Sequence, residues 1–393
     1  GDAHTPLAGI KVLDLSRVLA GPWAGQMLAD YGADVIKVER PNVGDDTRTW
    51  GPPWWGNAAD KQAAYYMAAN RGKRSIALDL ANPSDADLVR QLACKADVLL
   101  ENYKVGQLSK YGLDYVRLST SNPGLIYCSI TGYGQTGPAA QKAGYDFAIQ
   151  AEGGLMSITG EVGGEPQKVG VAVADVMTGV YATTAILAAL QGRHQSGRGC
   201  HIDAALLDVQ VAMLANQASN YLIGGKTPAR MGNAHANITP YQVFPTQDGH
   251  IVIAVGNDGQ FAKLCEVVGE PALAVDPRFA NNPSRLAHRA ELLPIVMAGM
   301  LKRSTAQWAA QLEAAGVPCS PICDIAQVFD NPQVRSRGLQ VVLDDVRGQA
   351  TPLVASPMVF DGQRACAGRA PPALNEHGDA LRASMSESAD WPC

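Results

Sequence analysis

The chain has 393 residues, of which 47% are hydrophobic and 18% are charged, an ordinary globular balance with ample material for a core. Its formal net charge of −5 argues against a nucleic-acid-binding protein, which would concentrate basic residues on one surface. No apolar run reaches the ~18 residues of a membrane span and no signal peptide is visible, so we expect neither membrane association nor secretion.

The eight cysteines are scattered along the chain. Only Cys319 and Cys323 are close together, and no His or Cys pair completes a zinc-binding spacing. We therefore expect no metal site, and free thiols in a soluble cytoplasmic protein.

The first segment has the pattern of a βαβ unit. Residues 10–15 are typical of a strand, and Pro22 suits the first turn of a helix that would run to about Asp30. Gly32 would end that helix, and residues 34–39 give a second strand. A strand, a glycine-containing turn, a helix and a second strand within about thirty residues are typical of this motif.

Three further strands are predicted at 75–79, 96–101 and 125–130, with helical patterns between them. Alternating strands and helices predict a parallel sheet covered by helices on both faces. No G-x-G-x-x-G motif follows the first strand, so the expected fold is Rossmann-like without a nicotinamide-binding signature. The fold class is therefore α/β.

A second domain is predicted after a composition change at Gly224-Gly225. A strand at 251–255 and three helical patterns follow, and we place a smaller α/β domain at residues 226–330. The large Rossmann-like domain would comprise residues 1–225, completed by extended segments from 331–393 that return to it.

Basic residues follow three of the predicted strands. In open α/β sheets, ligands bind outside the carboxyl ends of the strands, where several cations could neutralise a phosphorylated ligand. The residues in these positions are Arg17, Arg40, Lys104 and Lys110. The alternative is that these loops carry cations simply because they are exposed. A second basic group, Arg71, Lys73 and Arg74, would start at the opposite edge and gives weaker support.

Asp175 stands out in residues 168–190, because it is the one charge after Lys168 in an apolar stretch. It lies where a long helix is predicted to begin. An aspartate there is either an N-cap, which accepts hydrogen bonds from backbone N–H groups, or a functional carboxylate. The local sequence leaves both alternatives open.

Three other segments contain candidate ligand contacts. Trp50 with Arg48 could form an apolar wall with one cation for a small carboxylate, or belong to a proline-stiffened surface loop. The glycine-containing segment 256–260 could approach a ligand closely or form a turn. His235 is a single loop histidine with a structural alternative. Neither a G-x-S-x-G elbow nor a P-loop is present, so serine hydrolases and NTPases have no support.

Several longer stretches, taken in order, resemble one known family. They are residues 13–22 (LDLSRVLAGP), 32–41 (GADVIKVERP), 44–53, 70–80, 101–113, 129–138 and 144–160, followed by the stretch around Asp175. Together they resemble the family III CoA-transferases, a superfamily that includes formyl-CoA transferase, carnitine CoA-transferase and α-methylacyl-CoA racemase. Residues 230–244 and 255–261 look most like the dicarboxylate branch, the succinate–hydroxymethylglutarate CoA-transferase type.

The resemblance implies roles for individual residues. Asp175 aligns with the family's catalytic aspartate. The positions where relatives contact coenzyme A are Arg17, Arg40, Leu78, Asn102, Tyr103 and Lys110, and we expect Val18 and Tyr145 to bind it as well. The candidate substrate and loop residues are Arg48, Trp50, Arg230, His235, Gly256, Asn257, Asp258 and Gly259, of which the resemblance implies Trp50 and residues 256–259. Residues 256–259 match a mobile glycine loop of the family. A separate hypothesis, from the proposed mechanism, is that Arg48 or Arg230 holds the far carboxylate of a dicarboxylic substrate.

The resemblance implies an interlocked, ring-like homodimer that transfers CoA from an acyl-CoA, succinyl-CoA or a related dicarboxylyl-CoA, to a free carboxylic acid. Coenzyme A would be a substrate, with no tightly bound cofactor. The alternatives are an acyl-CoA racemase or epimerase and a non-catalytic acyl-CoA-binding protein. A racemase is disfavoured because Tyr145 replaces the histidine of that branch, and a tyrosine with an ordinary pKa near 10 is a poor base at neutral pH.

Overall fold

The computed structural model describes residues 4–393 and has a mixed α/β architecture. Its strands are β1 (Lys11–Asp14), β2 (Asp34–Glu39), β3 (Trp54–Trp55), β4 (Gln62–Ala63), β5 (Lys73–Ala77), β6 (Val98–Glu101), β7 (Ile126–Thr131), β8 (His201–Ala205), β9 (Tyr241–Pro245), β10 (His250–Ala254), β11 (Cys319–Pro321), β12 (Gln340–Asp344), β13 (Ala350–Val354), β14 (Val359–Phe360) and β15 (Gln363–Arg364).

The α-helices are α1 (Ala20–Asp30), α2 (Ala64–Met67), α3 (Pro83–Lys95), α4 (Tyr115–Ser121), α5 (Asp146–Glu152), α6 (Val173–Ser196), α7 (Leu206–Ala212), α8 (Ala215–Gly224), α9 (Asp258–Val268), α10 (Asn282–Ala287), α11 (Arg289–Met300), α12 (Thr305–Ala314), α13 (Ile325–Asp330), α14 (Pro332–Ser336) and α15 (Gly378–Glu387). The chain folds as two compact units. The first comprises the described residues up to Gly154, Val169–Leu214 and Pro332–Cys393, and the second comprises Leu155–Lys168 and Ala215–Asn331.

The first unit is built on a six-stranded sheet in the order β5-β2-β1-β6-β7-β8, with every adjacent pair parallel. This confirms the predicted parallel sheet. The strand predicted at 75–79 lies two residues earlier, at 73–77. The edge strand β8 was not predicted as a strand, because exposed His201 and Asp203 interrupt its apolar pattern.

Two helices, α1 and α6, pack together over one face of this sheet. Their contact is close because Gly179 of α6 has no side chain. A Cβ atom there would lie 2.8 Å from the carbonyl oxygen of Ala20 and 3.0 Å from Cβ of Trp23. The other face is covered by the apolar side of α3 and by residues such as Leu108 and Leu381.

Helix α6, with 24 residues, is long and apolar enough by length and composition to cross a bilayer. The expectation that no segment is long enough to span a membrane is thereby corrected. That expectation counted the continuous apolar run and left out the polar last turn of the helix. A core helix meets the same criterion, and Ala174, Ala182 and Ile186 of α6 are buried in the core of the first unit.

Residues 332–393 complete the first unit along its β5 edge. The N–H of Ser75 donates to Nδ1 of His377 (3.0 Å), and the N–H of Ala77 donates to the side chain of Asn375 (2.8 Å). The N–H of Gly72 donates to the carbonyl of Arg369 (2.8 Å). The edge of the sheet is thus covered by a segment distant in sequence, as a stable edge requires.

The second unit contains the antiparallel sheet β11-β10-β9, whose core includes Phe244, Phe261 and Trp308. The division between the units differs from the predicted boundary, because residues 155–168 and 215–225 belong to the second unit. The N–H of Gly232 donates to the carbonyl of Gly160 (2.9 Å), which ties the first of these segments to the chain after α8.

Candidate active site

Asp175 is the third residue of α6 and lies in the first turn of that helix. The N-cap position is occupied by Ala172, and no side chain of the cap residue bonds to the helix. The N-cap alternative for Asp175 is therefore wrong. The carboxylate is partly buried in the otherwise apolar start of α6, where little water can solvate its charge.

A second carboxylate, Asp146, supplies the cap that α6 lacks. Asp146 begins α5, and its Oδ1 accepts a hydrogen bond from the backbone N–H of Asp175 (2.8 Å). Its Oδ2 accepts from Nε2 of Gln150 (2.7 Å), and Oε1 of Gln150 accepts from the N–H of Val169 (3.0 Å). Asp146 thus satisfies one of the unpaired N–H groups at the start of the helix.

The two carboxylates share one electrostatic environment. Burial and, after it, the negative charge of Asp146 together raise the pKa of Asp175 to about 7. At neutral pH Asp175 is therefore a mixture of the acid and the carboxylate. Sequence reasoning did not single out Asp146, although it follows Tyr145 in the GYD motif.

One aromatic side chain, Tyr65, lies near this pair, and a second, Trp50, packs against it. Burial raises the pKa of Tyr65, and the charges of Asp175 and Asp146 add to the shift. The ring of Tyr65 packs edge-on against Trp50, with 5.0 Å between the ring centres. Trp50, predicted to face the substrate, is 45% exposed. The surroundings of Asp175 thus include apolar side chains that can shield a reactive intermediate from water.

Three of the predicted coenzyme A contacts come together after β1 and β6, which are neighbours in the sheet. Oδ1 of Asn102 accepts from the N–H of Arg17 (3.1 Å), and Nδ2 of Asn102 donates to the carbonyl of Arg17 (2.8 Å). The guanidinium group of Arg17 lies over the ring of Tyr103, 4.3 Å from its centre. Nε of Arg17 has no hydrogen-bond partner within residues 4–393. This buried N–H of Arg17 is thus a donor that the described part of the chain leaves unsatisfied.

The remaining predicted contacts have varied surroundings. Arg40 is exposed and pairs with Asp46 (2.6 Å), and Lys110 is exposed on a 3-10 turn. Tyr145 is 76% exposed, whereas Leu78 is 1% exposed and its side chain belongs to the core. At Leu78 the backbone alone could reach a ligand.

Comparison with known proteins decides the family. The model for "CoA-transferase family III" matches residues 7–378. The chain belongs to this family. It is 54% identical over 374 residues to a succinate–glutarate CoA-transferase of Agrobacterium fabrum, with 95% of this chain and 94% of that protein covered. It is 44% identical over 372 residues to the human succinyl-CoA:glutarate CoA-transferase, with 95% and 84% covered.

A solved structure also resembles this family III chain. A CaiB/BaiF family protein from Brucella suis has a TM-score of 0.85 and 51% identity, over 97% of this chain and 99% of that one. The family and the dicarboxylate branch predicted from the sequence are thereby confirmed, and the chain is an enzyme that transfers CoA.

Within this CoA-transferase, Arg48 occupies a structural position. Its Nε and Nη2 donate to the two carboxylate oxygens of Glu39 (2.7 and 2.8 Å). Nη2 also donates to the hydroxyl of Tyr66 (2.7 Å) and to the carbonyl of Pro372 (3.0 Å). All these donors are used in the interior, so the structure gives no support to Arg48 as a substrate contact.

The second basic group is also structural. Arg71, Lys73 and Arg74 each pair with an aspartate at 2.7 or 2.8 Å, and the three cations are almost completely buried. Nζ of Lys73 donates to Asp14, to Asn70 and to the carbonyl of Pro22, which uses all three of its protons. These cations hold the sheet together and leave no charge for a ligand.

The other predicted residues lie in the second unit. Nδ1 of His235 accepts from the N–H of Asn237 (2.9 Å), and its ring packs against Tyr241, which indicates a structural role. Nη1 of Arg230 donates to the carbonyl of Ser157 (3.2 Å), while its Nε has no partner in the described chain.

The glycine loop of residues 256–259 forms the start of α9. Asn257 is the N-cap and accepts from the N–H of Gln260 (2.8 Å), and the N–H of Gly256 donates to Oε1 of Gln260 (2.6 Å). Asp258 pairs with the buried Arg285 (2.8 Å). The loop is therefore tied at both ends in this structure.

Proposed function

We propose that this enzyme moves CoA from succinyl-CoA, or a related dicarboxylyl-CoA, to a free carboxylic acid such as glutarate. The relatives with 54% and 44% identity carry succinate and glutarate in their names. The observation that carries the chemistry is Asp175, whose backbone N–H donates to Asp146 in the first turn of α6 and whose carboxyl group has its pKa raised to about 7.

In the proposed mechanism the carboxylate of Asp175 attacks the carbonyl carbon of the donor thioester. The C–S bond breaks, CoA leaves as a thiolate, and a mixed aspartyl–acyl anhydride forms. The thiolate then attacks the aspartyl carbonyl, which gives an aspartyl-CoA thioester and releases the donor acid.

The second half reverses these steps with another acid. The carboxylate of the acceptor attacks the aspartyl-CoA thioester, which forms a new anhydride and expels the CoA thiolate. The thiolate attacks the acyl carbonyl of the acceptor, forms the product thioester and regenerates the carboxylate of Asp175. Atoms and charge balance in each half without a further reactant.

The surroundings of Asp175 support this chemistry. Limited solvation makes a carboxylate a stronger nucleophile, and the aromatic pair Trp50 and Tyr65 can limit the access of water to the anhydride. The backbone N–H of Asp175 itself donates to Asp146. The donors that stabilise each tetrahedral oxyanion are therefore supplied by groups other than this N–H.

Coenzyme A is proposed to bind at the carboxyl ends of β1 and β6. Arg17, Asn102 and Tyr103 are already in mutual contact there, and Arg40 and Lys110 add exposed positive charge for phosphates. We also propose the interlocked homodimer. It is supported by α8, where Tyr221, Leu222 and Ile223 are 50%, 78% and 89% exposed.

The test is intact-mass spectrometry after incubation with succinyl-CoA. We expect a CoA adduct in the wild-type enzyme that disappears in Asp175→Asn. Asp208→Asn is the matched control, since Asp208 is also the third residue of a helix in the first unit and is exposed. An adduct that persists in Asp175→Asn would overturn the assignment. Exchange of the α-proton into deuterated water without CoA transfer would instead identify a racemase.

A further inference from the structure

Val18 has a backbone conformation that its side chain disfavours. Its φ is +75°, in the left-handed region that β-branched residues rarely adopt. It lies in the turn between β1 and α1, next to Arg17, whose guanidinium group stacks on Tyr103. A residue held in this region persists where the surrounding structure over-determines it, and such residues cluster at ligand sites.

Side chains from three other segments hold the backbone of this turn. Nζ of Lys37 donates to the carbonyl of Ser16 (3.0 Å), and Asn102 binds the N–H and the carbonyl of Arg17. The N–H of Val18 donates to both carboxylate oxygens of Asp45, at 3.1 and 3.2 Å. These partners come from β2, from the loop after it and from the loop after β6, so the turn depends on the assembled sheet.

Asp45 and Lys37 form an ion pair in the interior. Their charged atoms are 2.9 Å apart, and the exposure of both side chains is 0%. Asp45 also accepts from the N–H and the hydroxyl of Thr47 (3.0 and 2.8 Å). Burial alone would raise the pKa of Asp45, but Lys37 and Thr47 outweigh it and lower the pKa to about 2. The acceptor for Val18 is therefore a permanent carboxylate.

We propose that Asp45 and Lys37 are positioning residues for coenzyme A recognition, because they hold the Val18 turn in the conformation that presents Arg17 to the ligand. The inference rests on the proposed function, which places coenzyme A at this turn. Neither residue touches the ligand. They fix the conformation of the Val18 turn, which the free chain would not adopt, before coenzyme A binds. Binding of coenzyme A therefore does not have to order this turn.

The first experiment compares Val18→Gly with Val18→Ala by thermal unfolding. Both remove the branched side chain, but glycine adopts a positive φ without strain and alanine does not. We expect Val18→Gly to have the higher Tm, the reverse of the order at an ordinary position. The opposite order would overturn the premise that the turn is held in a strained conformation.

The second experiment replaces the ion pair by apolar residues in Lys37→Met/Asp45→Leu and measures the Kd of coenzyme A by calorimetry. We expect Kd and the KM of succinyl-CoA to rise about ten-fold while kcat at saturation changes less than about three-fold. Adding Val18→Gly should recover about three-fold of the loss, since glycine needs no enforcement of its φ.

The matched control is Arg71→Met/Asp30→Leu, a buried pair near the amino end of β5. It should leave the Kd of coenzyme A unchanged. An equal rise in the control, or an unchanged Kd in folded Lys37→Met/Asp45→Leu, would overturn the inference. If that variant does not fold, the order of Tm in the two Val18 variants still decides whether the turn is held in a strained conformation, and without that strain the inference fails. A wild-type enzyme that does not bind coenzyme A would instead overturn the proposed function.

Discussion

Asp175 and Asp146 show how two aspartates of one site acquire different tasks from their surroundings. Asp146 accepts from a backbone N–H and a side-chain amide, which satisfies its charge. Asp175 has a raised pKa because it is buried and lies near that charge. The first is thus suited to fix geometry and the second to react.

The acid limb of the pH profile follows from this pair. Asp175 must be ionised to attack, so kcat should fall as pH falls through about 7. Asp146→Asn keeps an acceptor for the N–H of Asp175 but removes the neighbouring charge, which lowers the pKa of Asp175. We expect the midpoint to move down by on the order of one pH unit in a kcat profile. The exposed control Asp208→Asn should not move it, and an unmoved midpoint in Asp146→Asn would contradict the shared electrostatics.

The ionised carboxylate of Asp175 should also lower the free energy of unfolding. Because folding raises the pKa of Asp175 from 3.8 to about 7, the folded state disfavours its ionised form, and the penalty grows as pH rises through this window. The substitution Asp175→Asn removes this penalty. We expect the variant to gain on the order of 2–4 kcal/mol over wild type at pH 8 and little below pH 4, measured by urea unfolding. An equal gain at both pH values would exclude ionisation as the cause.

Among individual residues, the sequence predicted functional candidates where they lie in a recognisable motif. Asp175, Arg17, Asn102 and Tyr103 were predicted in this way, and the structure brings the last three into mutual contact. The interior partners of Arg48 could not be foreseen, because Glu39 and Pro372 lie 9 and 324 residues away. Asp146 was not singled out because its proximity to the start of α6 depends on tertiary packing.

The close packing of helices α1 and α6 depends on the absence of a side chain at Gly179. Gly179 lies mid-helix, where glycine is ordinarily unfavourable by roughly 1 kcal/mol relative to alanine. It is nevertheless suited to this place, since the backbone of α1 occupies the space that a Cβ would need.

Gly179→Ala should therefore lower stability by about 1–3 kcal/mol in denaturant unfolding, because the two helices must separate. Gly192 of the same helix is the control, as a Cβ there meets nothing within 4 Å. Gly192→Ala should raise stability by up to about 1 kcal/mol. Equal effects at the two positions would show that helix propensity, and not the close contact, decides.

The sequence predicted elements best where burial is continuous. The central strands β1, β2, β6 and β7 are buried over nearly their whole length and lie within two residues of their predicted bounds. β8 was missed because an edge strand exposes one face and its apolar pattern is weak. The length of α6 was underestimated because its last turn is polar and exposed.

For the whole molecule, the proposed homodimer predicts the mass in solution. Light scattering should give twice the 41.4 kDa of the chain. Interlocked chains cannot separate without unfolding, so the mass should not decrease on dilution to nanomolar concentration. A mass of one chain would exclude the dimer, and a mass that falls on dilution would exclude the interlocking.

Two domains were predicted from the sequence, with bounds that differ from those of the two compact units. The segments 155–168 and 215–225 carry no composition signal that assigns them to the second unit. Their membership follows from backbone pairing such as that of Gly232 with Gly160, which depends on the path of the chain and not on residue type.

The cover of the β5 edge by residues 332–393 has a consequence for synthesis on the ribosome. When Leu214 emerges, Ser75 and Ala77 still lack the acceptors His377 and Asn375. Roughly 120 residues of the second unit are translated before that cover begins to appear, which takes about 6–24 s at typical elongation rates. For that time the nascent chain presents an open sheet edge, and we expect it to be a client of ribosome-associated chaperones until translation ends.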